Sequence, residues 1–596
     1  MSLTNSNRLI VEYQIVEQWY DGYKVELEIT PQEDVKDWKL HFSLPDNYTI
    51  REFYGIDISQ SEDGNYAIAG GDNWGDLKSG QQINPILIID RFGIELNNFA
   101  LDFQQQNNAD AGADADRACR NSNDTVSFSD EQQQGQFNYG ESLQLSFLFF
   151  EANRSGDLPE DNRIEWRSDS TLNDGSDVGI DLEGGYFDAG DHIKFIQPMA
   201  FSSTMLAWGG IDYQEAYQQS GQLNELRDAV KWATDWFLKA HETDRSGNTS
   251  RLWVQVGDAS DHEHWVSPEE IDKVTDRKSY YIDSSRPGSD AAAGTASALA
   301  SASMLFRGVD DTYASELIKN AIALYEFAET YQGKYSDSVP EASPFYTSYS
   351  GYYDELSLGA AWLYKATGEQ KYLTKAEDYF KEKIGGLGDW TYAADDHSYA
   401  AAMILARESN DPFFKAQYQG WIDTWIEGNS NISYTPDGFP VRAEWASVPL
   451  TASSAFAAQW YDDFIEDNAQ YSEFATDQID YILGDNSNNF SYQIGFGDNY
   501  PLRPHHRGSA RTQLNNDDLT PNDYVLYGGI VGGPANWDPD SYNDIRSDFK
   551  TNEVGIGYNA PFTSAVVQQY DVYGGSPLSD SELDELLDFD TNSDFN

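Results

Sequence analysis

A single cysteine, Cys119, occurs in 596 residues, so the chain has neither an intramolecular disulfide nor a multi-cysteine metal site. Basic residues are also scarce: 38 Lys and Arg stand against 100 Asp and Glu, for a formal charge of −62. A surface of that sign repels phosphate backbones and anionic headgroups, which excludes nucleic acids and membrane surfaces as partners. No uninterrupted apolar run is long enough for a membrane-spanning helix. The opening residues Met1-Ser-Leu-Thr-Asn-Ser-Asn-Arg8 lack the apolar core of a secretion signal. The expectation is an extracellular protein whose leader is not visible in this chain.

What the sequence does have is acid spread along its whole length and many rings. The distributed acidic excess reads as adaptation to high salt, where cations screen the self-repulsion. Aromatics make up 14% of the residues, with 16 Trp and 38 Tyr. Most serve a large core, and flat rings also suit stacking on sugar faces. The length calls for more than one domain.

Residues 1–103 read as a β-sandwich. Leu9–Ile15, Tyr23–Ile29, Trp38–Leu44 and Ile86–Ile89 are rich in β-branched and aromatic residues, with Asp21-Gly22, Pro45-Asp-Asn47, Asp63-Gly-Asn65 and Ser79-Gly80 as turns between them. The Gln/Asn/Asp-rich stretch 104–136 reads as a solvated linker. From 137 to 575 the pattern turns helical. Leu223, Leu226, Val230, Ala233 and Phe237 mark one stripe, and others recur near 291–307, 312–331, 355–366, 371–383, 397–408, 412–427, 451–467 and 472–483. Ala291–Phe306 is small and apolar nearly all round while its neighbours are amphipathic, which implies two concentric layers of helices. Residues 576–596, with seven acids and no base, read as a frayed acidic tail.

Two glycine-flanked acidic segments carry the chemistry. Gly184-Gly-Tyr-Phe-Asp-Ala-Gly-Asp-His192 holds Asp188 and Asp191, and Asn552-Glu-Val-Gly-Ile-Gly-Tyr-Asn-Ala560 holds Glu553. Glycosidic cleavage needs one carboxylic acid to protonate the leaving oxygen and a carboxylate opposite to activate water or attack. The histidine pairs His262/His264 and His505/His506 lack helical i, i+4 spacing, which argues against zinc.

These segments, with Phe137-Asn-Tyr-Gly-Glu141, Phe150-Glu-Ala-Asn-Arg154, Pro504-His-His-Arg507 and Val525-Leu-Tyr-Gly-Gly-Ile-Val-Gly-Gly-Pro534, closely resemble glycoside hydrolase family 9, the inverting cellulases, over residues 137–575. The resemblance implies an (α/α)6 barrel hydrolysing β-1,4-glucans. In it Asp191 is the general base, Asp188 positions the water and Glu553 is the general acid. Tyr542, Asp544, Phe549, Asn559 and Ala560 fall at the family's spacing. Gly555 replaces the family's Ser, Thr or Ala and is expected to loosen the acid's loop. His262, Trp265, Trp390, Trp445, His505, Arg507 and Tyr558 match glucose-binding positions. Ser350-Gly-Tyr-Tyr-Asp-Glu355 resembles the family's calcium loop, implying structural Ca²⁺ held by Ser350, Gly351, Asp354 and Glu355 with Asp396 from the later Asp395-Asp396 pair. The N-terminal segment resembles a family 2 carbohydrate-binding module. That resemblance assigns Trp19, Tyr54 and Trp74 to a cellulose-stacking strip and Trp38 to the core.

The reading is a mainly α protein, an (α/α)6 barrel preceded by a small β-sandwich. Its expected function is that of a secreted, monomeric, salt-adapted endo-β-1,4-glucanase acting on cellulose without an organic cofactor. The alternatives are the same fold on mixed-linkage glucan, xyloglucan or chitooligosaccharide, and a non-catalytic glycan-binding protein.

Overall fold

Twelve helices of ten residues or more run from Tyr139 to Tyr573 among the residues that the computed structural model describes. Those residues are 135–510 and 520–588, preceded by the backbone of eleven strands between Thr4 and Gln104. In chain order the twelve are α1 (Tyr139–Ala152), α2 (Ile196–Asp212), α3 (Leu223–Ala240), α4 (Ser289–Phe306), α5 (Asp311–Thr330) and α6 (Tyr353–Thr367). They continue with α7 (Gln370–Tyr379), α8 (Ser398–Glu408), α9 (Pro412–Glu427), α10 (Ser447–Phe464), α11 (Ala469–Leu483) and α12 (Ile556–Tyr573).

Residue type sorts these helices into two layers. α2, α4, α6, α8, α10 and α12 are buried on nearly every face, and each packs on the next until α12 meets α2 and closes a ring. In α4 the inner position is met with Ala, Ser, Thr and Gly. The buried hydroxyls are satisfied by bonding back one turn, as Thr295 does to the Ala291 carbonyl at 2.7 Å and Ser297 to Ala293 at 3.1 Å. Small side chains let backbones approach, while α3, α5, α7, α9 and α11 bury one stripe and expose the other. The molecule is therefore an (α/α)6 barrel, as expected.

Ring packing ties the floor of the barrel together. Trp208 of α2 meets Trp362, Phe456 and Trp460 edge-on at 5.3–5.6 Å between centroids. Such pairs add about 0.5–1.5 kcal/mol each beyond burial. The indoles of Trp208 and Trp460 both donate to Asp212 Oδ2, at 2.7 and 2.8 Å, so the buried acid is not left unpaired.

α1 completes the outer layer, yet 13 of its residues are buried. The cause corrects the frayed-tail expectation. The C-terminal segment packs onto the barrel and forms helix α13 (Asp580–Asp588). Gln144 of α1 exchanges two hydrogen bonds with the Leu578 backbone, at 3.1 and 2.8 Å, Tyr527 donates to the Leu586 carbonyl at 3.1 Å, and Leu583 is buried. Acidic composition concealed four leucines at 578, 583, 586 and 587 that join or pack against the core.

The chain divides into two compact units, 1–129 and 130–596. In the first, Thr4–Asn5, Leu9–Trp19, Gly22–Pro31, Ile86–Arg91 and Tyr48–Tyr54 form one antiparallel sheet in that order. Asp102–Gln104, Lys39–Ser43, Tyr66–Ala69 and Asp57–Gln60 form another. Two antiparallel sheets are what a sandwich requires. Trp19 and Tyr54 end strands of the same sheet, Trp19 opposite Gly22 and Tyr54 opposite Ile86. Trp74 and Trp38 lie outside the described residues.

Candidate active site

The loop before α2 carries two carboxylates because its glycines permit a close approach. A Cβ on Gly190 would stand 1.9 Å from the His505 carbonyl oxygen, so no other residue fits there unless the backbone moves. The same Gly190 carbonyl accepts from the Arg507 backbone N–H at 2.9 Å and its guanidinium at 3.1 Å. Asp188 is held by its backbone, donating to the Ile193 carbonyl at 3.0 Å and accepting from Ile556 N–H at 2.9 Å. The loop is thereby clipped to the start of α12.

The acid segment is framed as firmly. Glu553 pairs with His505 in a parallel bridge, and its carbonyl accepts from Gly532 N–H at 3.0 Å. The preceding Asn552 is fully buried and gives its amide to the Arg503 carbonyl (2.7 Å) and Asp544 (3.2 Å) while accepting from the Tyr542 hydroxyl (2.7 Å). Gly555 is extended at φ −167, and a Cβ there would sit in ordinary contact with the Asp188 carbonyl at 3.4 Å. The clips on either side, rather than a side chain at 555, hold the acid.

All three carboxylates face one cleft of ≈ 1070 Å³, and so do His262, Trp265, Trp390, Trp445, His505, Arg507 and Tyr558. Every catalytic and glucose-binding position expected from the sequence thus meets in one place, although the positions span residues 188 to 558. Trp445 donates its indole N–H to the Tyr558 hydroxyl at 3.0 Å and packs edge-on to Phe549. Trp390 lies under the Arg442 guanidinium, which pairs with Asp389. Arg507 spends its side-chain nitrogens on backbone carbonyls of Gly190, His262 and His264. In this structure it braces the cleft wall.

Electrostatics differentiate the three acids. Burial pushes Asp188 up to about 8, against a hydrogen bond donated by Tyr346 at 2.6 Å and with help from the Asp191 charge. Burial acts on Asp191 too, but the 2.6 Å hydrogen bond from His262 Nδ1 and the charge of Arg507 bring it below the ordinary carboxylate value. Glu553 is held well above its ordinary value by burial and by the Asp191 and Asp188 charges. Among these three acids the surroundings thus favour the charged form of Asp191 and the neutral forms of Asp188 and Glu553. Burial lowers His505 to about 4, so it is neutral, and its Nδ1–H donates to the Arg546 carbonyl at 2.7 Å.

Lining residues not picked out from the sequence include Tyr346, Phe345, Tyr349 and Arg442. Tyr346 touches a candidate catalytic group directly. Its segment, Ser343-Pro-Phe-Tyr-Thr-Ser-Tyr349, has neither helical nor strand periodicity and so gave no signal.

The expected calcium ligands lie at the start of α6 and in the loops before α6 and α8. Ser350 and Asp396 line the cleft, and Asp354 and Glu355 are buried at the start of α6. Among the described residues, Asp354 Oδ1 and both Glu355 carboxylate oxygens have no hydrogen-bond partner. Among the described residues no three His, Cys, Asp or Glu side chains stand close enough to hold a metal alone. Asp395 accepts from the backbone N–H groups of Tyr349 (2.9 Å) and Ser350 (3.2 Å), whereas Asp396 accepts from Ser398.

A helical barrel whose cleft sets neutral and ionised carboxylates among sugar-sized aromatic faces defines a glycoside hydrolase. Residues 139–566 match the family described as glycosyl hydrolase family 9. Endoglucanase A of Bacillus pumilus is 43% identical over 74% of this chain and 67% of its own length. Endoglucanase B of Cellulomonas fimi is 44% identical over 76% of the chain, which spans only 44% of that longer protein. Among solved structures, the endoglucanase of the termite Nasutitermes takasagoensis is 42% identical with a TM-score of 0.68, covering 73% of this chain and 99% of its own. CelQ of Clostridium thermocellum, solved with cellotriose, is 36% identical with a TM-score of 0.67, covering 75% and 72%. The chain belongs to glycosyl hydrolase family 9.

Proposed function

We propose that the protein is an endo-β-1,4-glucanase that hydrolyses internal bonds of cellulose with inversion of anomeric configuration. The observation that carries this reading is the split among the three acids, with Asp191 ionised beside His262 and Glu553 protonated across the same aromatic cleft. Glu553 protonates the leaving glycosidic oxygen. Asp191 takes a proton from the attacking water, and Asp188, neutral and held by Tyr346, orients that water. Trp265, Trp390 and Trp445 offer faces to successive glucose rings, and His262, His505 and Tyr558 offer hydrogen bonds. The relatives named as endoglucanases, and CelQ with its bound cellotriose, support cellulose as substrate.

Four further properties belong to this proposal. The N-terminal unit acts as a cellulose-binding module through Trp19, Tyr54 and Trp74, and the 104–136 linker raises the catalyst's concentration on the solid. The −62 charge suits a secreted monomer working in concentrated salt. Calcium is held by Ser350, Gly351, Asp354, Glu355 and Asp396. It neutralises buried acids, which the unpartnered oxygens of Asp354 and Glu355 support.

Reducing-sugar release from a soluble cellulose derivative in molar NaCl, wild type beside Glu553→Gln, tests the reading. Activity that falls by about 10³-fold in the variant is expected. Equal rates would overturn the acid assignment. No release by either protein would redirect the assay to mixed-linkage glucan, xyloglucan and chitooligosaccharide, with a non-catalytic binder as the remaining outcome.

A further inference from the structure

Behind the cleft, and not lining it, lies an arginine that joins the two loops forming the Asp191–His262 pair. Arg277 is 5% exposed and sits at φ +40, a left-handed conformation that a residue with a Cβ adopts only under constraint from its surroundings. Its guanidinium makes a bidentate pair with Asp174, Nε to Oδ1 at 2.7 Å and Nη2 to Oδ2 at 3.1 Å. The remaining nitrogen, Nη1, donates to the carbonyl of His192 at 2.9 Å and to Asp261 Oδ1 at 3.2 Å. His192 directly follows Asp191, and Asp261 directly precedes His262. One nitrogen therefore grips both chain segments one residue away from the hydrogen-bonded pair.

Each end of this grip is itself rigid. Asp174 also binds Lys194 Nζ at 2.8 Å, and that lysine donates to the Leu182 and Gly184 carbonyls at the root of the base loop. Asp261 closes a capping box with Asp258 and accepts from Thr275 at 2.7 Å. Asp174 and Asp261, with the partly exposed Asp272 3.7 Å from Arg277 Nε, leave neither Arg277 nor Lys194 an unpaired buried cation, so the cluster can stay buried and hold a fixed geometry.

We propose that Arg277 is a positioning residue for the general base, setting the loop carrying Asp191 against the turn carrying His262 so that their hydrogen bond persists. This rests on the reading of Asp191 as the base. Six groups face Asp191: His262, Arg507, His192, His505, Asp188 and Glu553. Among the described residues only His262 donates a side-chain hydrogen bond to it, so loosening that bond removes a force favouring the anion and shifts proton release to higher pH.

The experiment is the pH dependence of kcat/KM for Arg277→Lys and for Asp261→Asn, which weakens the same contact from its other end. Leu583→Ala serves as a destabilised control remote from this cluster. The expected result for each folded variant is an acidic limb moved up by about one pH unit, with kcat lowered by up to about tenfold at pH values below the wild-type limb and KM little changed. The alkaline limb stays, and Leu583→Ala moves neither limb. In a His262→Ala background, Arg277→Lys has no further effect on the acidic limb. An acidic limb unmoved in either folded variant would overturn the proposal. Asp191→Asn separates the two readings. If it keeps wild-type kcat, the base assignment falls; if it is inactive while the limb stays put in Arg277→Lys, only the role of Arg277 falls.

Discussion

The base loop at 188–191 and the acid segment at 552–555 present carboxylates to the same cleft, where Asp191 is pushed down while Asp188 and Glu553 are pushed up. Asp188 and Asp191 are 7% and 5% exposed and three residues apart, yet one is pushed up to about 8 and the other falls below its ordinary value. Burial is the largest influence on each, so burial cannot account for the difference. Donors and charges do. Asp191 faces His262 and Arg507, whereas Glu553 faces the Asp191 and Asp188 charges, which Arg507 offsets only in part. Two acids in one cleft acquire distinct roles from what stands opposite them.

Breaking either side of this contrast has the largest expected effect. Glu553→Gln and Asp191→Asn each lower kcat by about 10³-fold, read as reducing-sugar release, with the fold unchanged by circular dichroism. Gly190→Ala comes next. Its methyl group would need space held by the His505 carbonyl, so the base and acid segments are forced apart and kcat falls by about 10²-fold; activity within twofold of wild type would show that the loop yields. His262→Ala tests the contrast by pH. Without its hydrogen bond Asp191 binds a proton more readily, so the acidic limb of kcat/KM rises while the alkaline limb, set by Glu553, stays. Leu583→Ala lies far from both carboxylates and is expected to lower stability by about 2 kcal/mol in chemical denaturation with kcat unchanged, which measures the C-terminal strap alone. Smallest is Gly555→Ala, where the added Cβ meets only ordinary contacts; kcat within twofold of wild type is expected, and a larger change would show that the missing side chain tunes the acid.

Much of the barrel was legible because helices of both layers, the inner α4, α6, α8 and α10 among them, carry apolar repeats of helical length. The stripe through Leu226, Val230, Ala233 and Phe237 forecast α3 correctly. α2 and α12 were not read as helices, and in α12 Gly557 and Pro561 read as breaks. The tail misled for the opposite reason: its acids outnumber the leucines that dock it.

By itself the sequence determined the family motifs, the three carboxylates, the layered helical architecture and the lack of an intramolecular disulfide, because residue identity and spacing are properties of the chain alone. Tertiary structure decided which carboxylate is ionised, that Tyr346 holds Asp188, that Arg507 braces backbone carbonyls, and that Arg277 joins the base loop to the His262 turn. A proton affinity depends on the charges and donors within a few ångströms, and those come from segments that only folding brings together.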